Sequence, residues 1–293
     1  MADAVVQSQP DPEAMVMPFT PVIAVITDEV SEDIGAALAF MADHDVRQVD
    51  IRSVDERNVI LFDDAELTDL ANRLSDAGVT VGCYCSPLLK WPRSGAKIPE
   101  GANFHGFDPG VLTPEQAVPR AFEVANRLGA AQLRIFSYFT YDGFQPEHLD
   151  DDLDHLLDLA QTHDVTLVLE NEHVCNVATL DEMTAVVARR AHPRLRGALD
   201  LANHRAARPP APSAATLAAA AKVAGTVHIK DFTGDPRRFV ALGEGVVDHG
   251  PLFEALREHG PIGLLAFAIE THQPKDGPAV TARSIAALRT MLA

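Results

Sequence analysis

The chain has 293 residues, 47% of them hydrophobic and 23% charged, ordinary proportions for a globular protein with a substantial core. Its 42 acidic against 24 basic side chains give a formal charge of −18. That balance argues against nucleic acid or an anionic membrane as a partner, because phosphate binding draws most of its affinity from Lys and Arg. Cys83 and Cys85 are separated by one residue rather than the two of a redox or zinc knuckle, and Cys175 stands alone, so the thiols read as buried side chains in a reducing cytosol.

Residues 1–20 mix Pro, Asp, Gln and Ala without a period and read as a flexible tail, lacking the basic and apolar regions of a signal peptide. No apolar run approaches the roughly 18 residues of a membrane span. The expectation is a soluble, cytoplasmic protein with no membrane contact. After the tail the chain becomes rhythmic. Strand-like runs start at Val22 (VIAVIT), Gln48 (QVDIRSV), Val79 (VTVGCYC), Gln132 (QLRIFSYF), Thr166 (TLVLENE), Leu195 (LRGALDL), Val223 (VAGTVHIKDF) and Gly263 (GLLAFAIETH). Between them lie amphipathic stretches such as EDIGAALAFMADH, AELTDLANRLSDAG and DDDLDHLLDLAQTHD, with apolar residues at i, i+3 and i+4.

Strand alternating with helix implies parallel strands joined by crossovers, and eight units close a (β/α)8 TIM barrel. A doubly wound open sheet is the rival, but the first βα turn, ITDEVSED, lacks the glycine fingerprint of a dinucleotide site. The predicted organisation is one catalytic barrel over 21–293 with a lid-like insertion near 88–113, rich in Gly and Pro and carrying the single tryptophan, Trp91.

Side chains alternate between the two faces of a strand. Leu167 and Leu169 oppose Val168, Glu170 and Glu172; Leu199 opposes Asp200; Val227 and Ile229 oppose His228 and Lys230; Phe267 and Ile269 oppose Glu270 and His272. Outward positions of a barrel pack on helices and are apolar here, so the ionisable parity points into the mouth. Buried charges without partners are costly, and a divalent cation is the economical partner for Glu170, Asp200, His228 and Glu270, an oxygen-rich set with one nitrogen. Taken singly, a glutamate at a strand end is ordinarily solvated and an inward histidine ordinarily a hydrogen-bonded core residue; the conjunction on four successive strands carries the reading. Glu172 competes with Glu170 for the fifth strand's place.

At these residues the sequence resembles the sugar phosphate isomerase/epimerase superfamily with the xylose isomerase-like barrel. The motifs are LVLEN at Glu170, LDLAN at Asp200, VHIKD at His228, LGEG at Glu244 and AIETH at Glu270, with ITDEVSED and LLKWP resembling one branch. The resemblance implies one divalent metal ion, Mn²⁺ first with Mg²⁺, Co²⁺ or Zn²⁺ as alternatives, held by Glu170, Asp200, His228 and Glu270. It also implies Glu170 and Glu270 as the acid/base pair of a sugar or cyclitol isomerase or epimerase, working alpha to a carbonyl through a metal-stabilised enediolate. The partner would be a small-molecule carbohydrate; a homo-oligomer is compatible with this composition.

Arg52, Arg134 and Lys230 share the inward parity and are candidates to hold substrate, with internal salt bridges as the alternative. Glu172, His173, Asn203 and His204 lie on or just beyond ligand-bearing strands; His272 reads as a loop histidine that orients a ligand. Glu244 is a candidate to close over substrate or a plain turn residue, and Trp91 to stack on a sugar face or anchor its loop. The competing chemistry is β-elimination on an inosose or 3-oxo-glycoside by a lyase or dehydratase. An AP endonuclease-type nuclease is remote, since that branch needs extra histidines and CYCSPL and RIFSYF contain none. A non-catalytic sugar-binding barrel would have no use for a two-carboxylate metal site.

Overall fold

A computed structural model describes residues 18–93, 97–99, 103–108, 110–272 and 275–293. Eight parallel strands form a closed barrel. They are β1 (Phe19–Ile26), β2 (Gln48–Ile51), β3 (Thr80–Tyr84), β4 (Gln132–Ile135), β5 (Thr166–Glu170), β6 (Leu195–Asp200), β7 (Ala224–Ile229) and β8 (Gly263–Ile269). Each pairs with its chain neighbours, and β1 closes the ring by pairing with β8 from Phe19↔Gly263 to Val25↔Ile269. Eight longer helices follow the strands in turn: α1 (Ile34–Asp43), α2 (Asp64–Asp76), α3 (Pro114–Leu128), α4 (Asp150–Thr162), α5 (Leu180–Arg190), α6 (Ala214–Val223), α7 (Gly250–His259) and α8 (Gly277–Leu292). Among the described residues no helix is long and apolar enough to cross a membrane.

Helix starts are set by local chemistry. Asp63 caps α2 by accepting from Ala65 and Glu66 N–H while Glu66 returns the bond to Asp63 N–H, and Thr179 with Glu182 does the same for α5. On α2, Leu67, Leu70 and Leu74 recur on one face and are buried. The main core lies between strands and helices, whereas Ile26, Cys83, Cys85, Val168 and Ala198 form a separate small apolar cluster. Val168 and Ala198 share the strand parity of Glu170 and Asp200, so the functional parity has an apolar floor.

Three boundaries differ from expectation. β1 begins at Phe19, inside the tail expected over 1–20, because Phe19 and Thr20 find partners on β8; residues 1–17 lie outside the described residues. β4 stops at Ile135, and Tyr138 three residues on adopts a left-handed φ of 63°. β5 stops at Glu170: Glu172 carbonyl accepts from Cys175 N–H and Glu172 N–H donates to Val177, a turn that takes Glu172 out of the strand. The insertion expected near 88–113 falls partly outside the described residues. Its described portion buries Leu88, Leu89, Trp91 and Phe107 in the core.

The VHIKD and LGEG motifs meet in one structural device. Asp231 is buried and its carboxylate accepts from Phe232, Gly243, Gly245 and Val247 N–H at 2.8–3.0 Å, which holds the 241–247 loop against the barrel mouth. A methyl group on Gly245 would overlap both that carboxylate and the Phe232 carbonyl. Gly245→Ala is therefore expected to destabilise the fold by about 2 kcal/mol or more, read as a lowered urea midpoint, whereas Gly143→Ala, with nothing within 4 Å of the added carbon, meets only its own backbone strain.

Candidate functional site

The strand ends deliver the ionisable side chains to one place. Glu170 is the last residue of β5, Asp200 the last of β6, His228 lies in β7 and Glu270 immediately follows β8. One ligand atom from each lies within 4.8 Å of all the others. All four are essentially buried. His228 Nδ1 stands 3.2 Å from Glu170 Oε1 and 3.8 Å from Glu270 Oε2. Asp200 also caps the short helix Leu201–Ala206, accepting from Asn203 N–H at 2.6 Å. Asn203 Nδ2 in turn donates to Glu170 Oε1 at 3.2 Å, so one turn of chain orients two of the carboxylates.

Cations surround the group. Lys230 Nζ is 2.8 Å from Asp200 Oδ2 and 2.6 Å from Glu270 Oε2; Arg134 Nη1 is 3.2 Å from Glu170 Oε2. Arg52 donates through Nη1 to Glu270 Oε1 at 2.7 Å and binds Asp28 and Glu29 through its other nitrogens. Glu170 Oε2, Asp200 Oδ2 and Glu270 Oε2 are buried and meet these cations through ion pairs rather than aligned hydrogen bonds. Three carboxylates and an imidazole whose ligand atoms lie this close together are the donor set a hard or borderline divalent cation requires. The donor set fits one.

The field explains the protonation states. Burial alone would raise the pKa of Glu270, but Lys230, His272 and Arg52 outweigh it and hold the carboxyl well below its usual range. Burial likewise works against Glu170, and His228 and Arg134 bring it down. Asp200 goes the other way: burial raises it, Lys230 opposes, and Glu170 and Glu270 add to the rise. Burial would lower His228, yet Glu170 overrides it and pushes the imidazole well up, so a cation entering here competes with a proton.

Above this group opens a cavity of about 300 Å³. Of the residues singled out from sequence, Arg134, Glu170, Glu172, His173, Asn203, Lys230 and Glu270 line it. Glu172 stands apart from the four-residue group, bound to Lys90 Nζ at 3.2 Å and His173 Nδ1 at 2.8 Å. Arg52 lies behind Glu270 as its support. Three other residues are elsewhere. Trp91 is buried in the core, its carbonyl accepting from Phe139 N–H, because the insertion folds its apolar residues inward. His204 accepts from Leu180 N–H at 3.1 Å at the start of α5 and faces a different, proline-rich cavity. Glu244 is exposed and paired with Arg283 on α8 at 2.7 Å, since Asp231 holds its loop in place without it.

The cavity also contains residues that sequence reasoning passed over: Lys90, His105, Arg237 and Phe239. Lys90 stood in the quoted LLKWP segment and was the one with a signal. His272, read as a loop histidine, lines the cavity too, its backbone N–H donating to Glu29 at 2.5 Å.

The sequence matches the xylose isomerase-like TIM barrel family over residues 38–291. The chain belongs to that family. No curated protein matches it. Among solved structures it is similar to an IolI protein with a bound zinc atom (TM-score 0.73, 16% identity, 92% of this chain and 98% of that one). It is also similar to AsbF, a probable 3-DHS dehydratase from Bacillus anthracis (0.67, 14%, 92% and 98%), and to YcjR, a 3-keto-D-glucoside 4-epimerase from E. coli (0.65, 17%, 92% and 100%). At these identities the likeness establishes the fold.

Beneath His228 lies Asp50, fully buried, with Oδ1 accepting from Cys83 N–H at 3.0 Å and Oδ2 without a hydrogen bond. Burial, reinforced by Cys85, raises its pKa to about 8. An unfolded aspartate ionises near 3.9, so between about pH 4 and about pH 8 the native state holds a proton that the unfolded state has lost. Its contribution is complete below the unfolded pKa and disappears as pH rises through the folded one. In urea unfolding of metal-stripped protein, wild type is expected to lose stability across that window, and Asp50→Asn to show a shallower decline.

Proposed function

We propose that this protein is a divalent-metal-dependent isomerase or epimerase of a sugar or cyclitol, with Mn²⁺ the first candidate ion. The convergence of Glu170, Asp200, His228 and Glu270, with Glu170 and Glu270 lining a carbohydrate-sized polar cavity, is the observation that carries the reading. In it the four side chains hold the cation, which when bound would polarise the substrate carbonyl and stabilise the enediolate.

The chain's own residues then do the proton work. One carboxylate of the Glu170–Glu270 pair takes the proton from the carbon next to the carbonyl. The C–H electron pair moves into the new C=C bond as the carbonyl π pair moves to oxygen. Delivering the proton to the former carbonyl carbon isomerises, as the hydroxyl on the first carbon passes its proton to the former carbonyl oxygen and becomes the new carbonyl. Delivering a proton from the other carboxylate to the opposite face of the first carbon, with the original carbonyl re-forming, epimerises. Arg134 and Asn203 orient Glu170, while Arg52 and Lys230 hold Glu270 ionised as a base. Burial of the group under the cavity keeps bulk water from the carbanion.

Elimination is the second reading, favoured by the Glu172–His173 pair on the cavity wall, 2.8 Å apart, which could protonate a leaving group. The dehydratase with the same fold is consistent with it.

The test is Mn²⁺-loaded protein incubated with ketoses, inososes and 3-oxo-glycosides in D₂O and followed by NMR. Deuterium uptake with an isomeric product supports the proposal, and loss of a leaving group the second reading. Glu170→Gln and Glu270→Gln are each expected to lower exchange by about 10²–10⁴-fold. No exchange on any carbohydrate, with Glu270→Gln indistinguishable from wild type, overturns the enediolate chemistry.

A further inference from the structure

The insertion after β3 brings one polar ring to the cavity, His105, and three features fix it there. Its carbonyl accepts from Asn58 Nδ2 at 3.3 Å and the next residue's carbonyl from Asn58 N–H at 3.0 Å, so the ribbon formed by Ser53–Val54 and Arg57–Asn58 clamps the loop from below. Gly106 has a φ of +69°, and a methyl group there would lie 2.7 Å from Glu56 O and 2.8 Å from Asn58 N, so the loop approaches the ribbon as closely as glycine allows. His105 itself is held at a φ of +49°, a conformation that costs a non-glycine residue energy and is maintained where surrounding structure over-determines it.

The ring's partner settles its tautomer. Arg52 Nη1, the nitrogen that also holds Glu270, lies 3.4 Å from His105 Nε2. A guanidinium can only donate, so Nε2 presents a lone pair and the proton of the neutral ring is on Nδ1. Burial, with Arg52 and Lys90 nearby, pulls the imidazole pKa well down, in keeping with a neutral ring. Among the described residues Nδ1 has no hydrogen-bond partner. A strained, clamped histidine that lines the cavity with Glu170 and Glu270 therefore carries one N–H donor not engaged by the described residues.

Building on the proposed function, we infer that His105 is a substrate-contacting, specificity-determining residue that donates from Nδ1 to a hydroxyl or carbonyl oxygen of the carbohydrate. Its hydrogen-bond link to the metal-site residues, among the described residues, runs through Arg52 Nη1 to Glu270, so its role is separable from cation binding. Asparagine at 105 keeps an N–H donor near the Nδ1 position and tolerates the left-handed backbone, whereas phenylalanine keeps a ring and removes the donor.

The experiment uses the full-length protein loaded with Mg²⁺, labelled with ¹⁵N in its histidines, and titrated with D-fructose, an inosose and a 3-oxo-glucoside. The expected result is a neutral Nδ1–H signature for His105, assigned by its disappearance in His105→Asn, that shifts with at least one of these sugars. His105→Phe is expected to weaken that sugar about tenfold, the worth of one buried hydrogen bond. His105→Asn should stay within about threefold, and both variants should bind Mg²⁺ as wild type does. No shift of the His105 resonances with any of the sugars, or unchanged sugar affinity in His105→Phe, overturns the inference. Binding with the His105 shift but no deuterium exchange in the Mn²⁺-loaded enzyme overturns the proposed reaction alone.

Discussion

Everything at the mouth of this barrel follows from gathering carboxylates where water cannot reach them. Glu29, Glu170, Glu172, Asp200 and Glu270 are all nearly buried, and an unpaired buried charge is costly enough to unfold a marginal protein. The chain answers with cations of matching burial. Arg52 binds Asp28, Glu29 and Glu270; Lys90 binds Glu172; Arg134 binds Glu170; Lys230 bridges Asp200 and Glu270. Removing one member of such a pair leaves its partner uncompensated, at about 3–5 kcal/mol.

These charges are sorted around the ring. Arg52, Lys90 and Arg134 stand at or just beyond the ends of β2, β3 and β4, while Glu170, Asp200, Glu270 and the Asp28–Glu29 pair stand at or beyond β5, β6, β8 and β1. Among the described residues the mouth is basic on one side and acidic on the other, with Lys230 and Arg237, both beyond β7, on the acidic side. The acidic half carries the carboxylates suited to a cation, and the basic half carries hydrogen-bond donors. The net charge of −18 conceals this division, because most acidic side chains lie on solvated faces.

Several motif residues act through others. In ITDEVSED, Asp28 and Glu29 hold Arg52, and Arg52 holds Glu270. In VHIKD the aspartate clamps the 241–247 loop, and in LGEG Gly245 permits the close approach that the clamp requires, Gly243 takes a φ of +84°, and Glu244 faces solvent. In LLKWP the lysine reaches Glu172 and the tryptophan joins the core. Motifs of this kind record a supporting framework as much as reacting groups.

The fold was legible because its determinants are local and periodic: alternation along each strand, a 3.6-residue rhythm along each helix, and caps at fixed offsets. The same two-residue period read out Glu170, Asp200, His228 and Glu270, since strand parity survives folding unchanged. At Glu172 a turn ends β5 and parity no longer applies, although the side chain still lines the cavity. Residues on long connections obey no period, so His105, Arg237 and Phe239 entered the cavity unannounced, Lys90 was marked only by its motif, and Trp91 and Glu244 went elsewhere. Sequence by itself determined the barrel and the direction in which its charged strand ends point. Only the closed tertiary structure decided which charges meet and what the loop after β3 contributes, because those contacts join residues far apart in the chain through packing that no local pattern encodes.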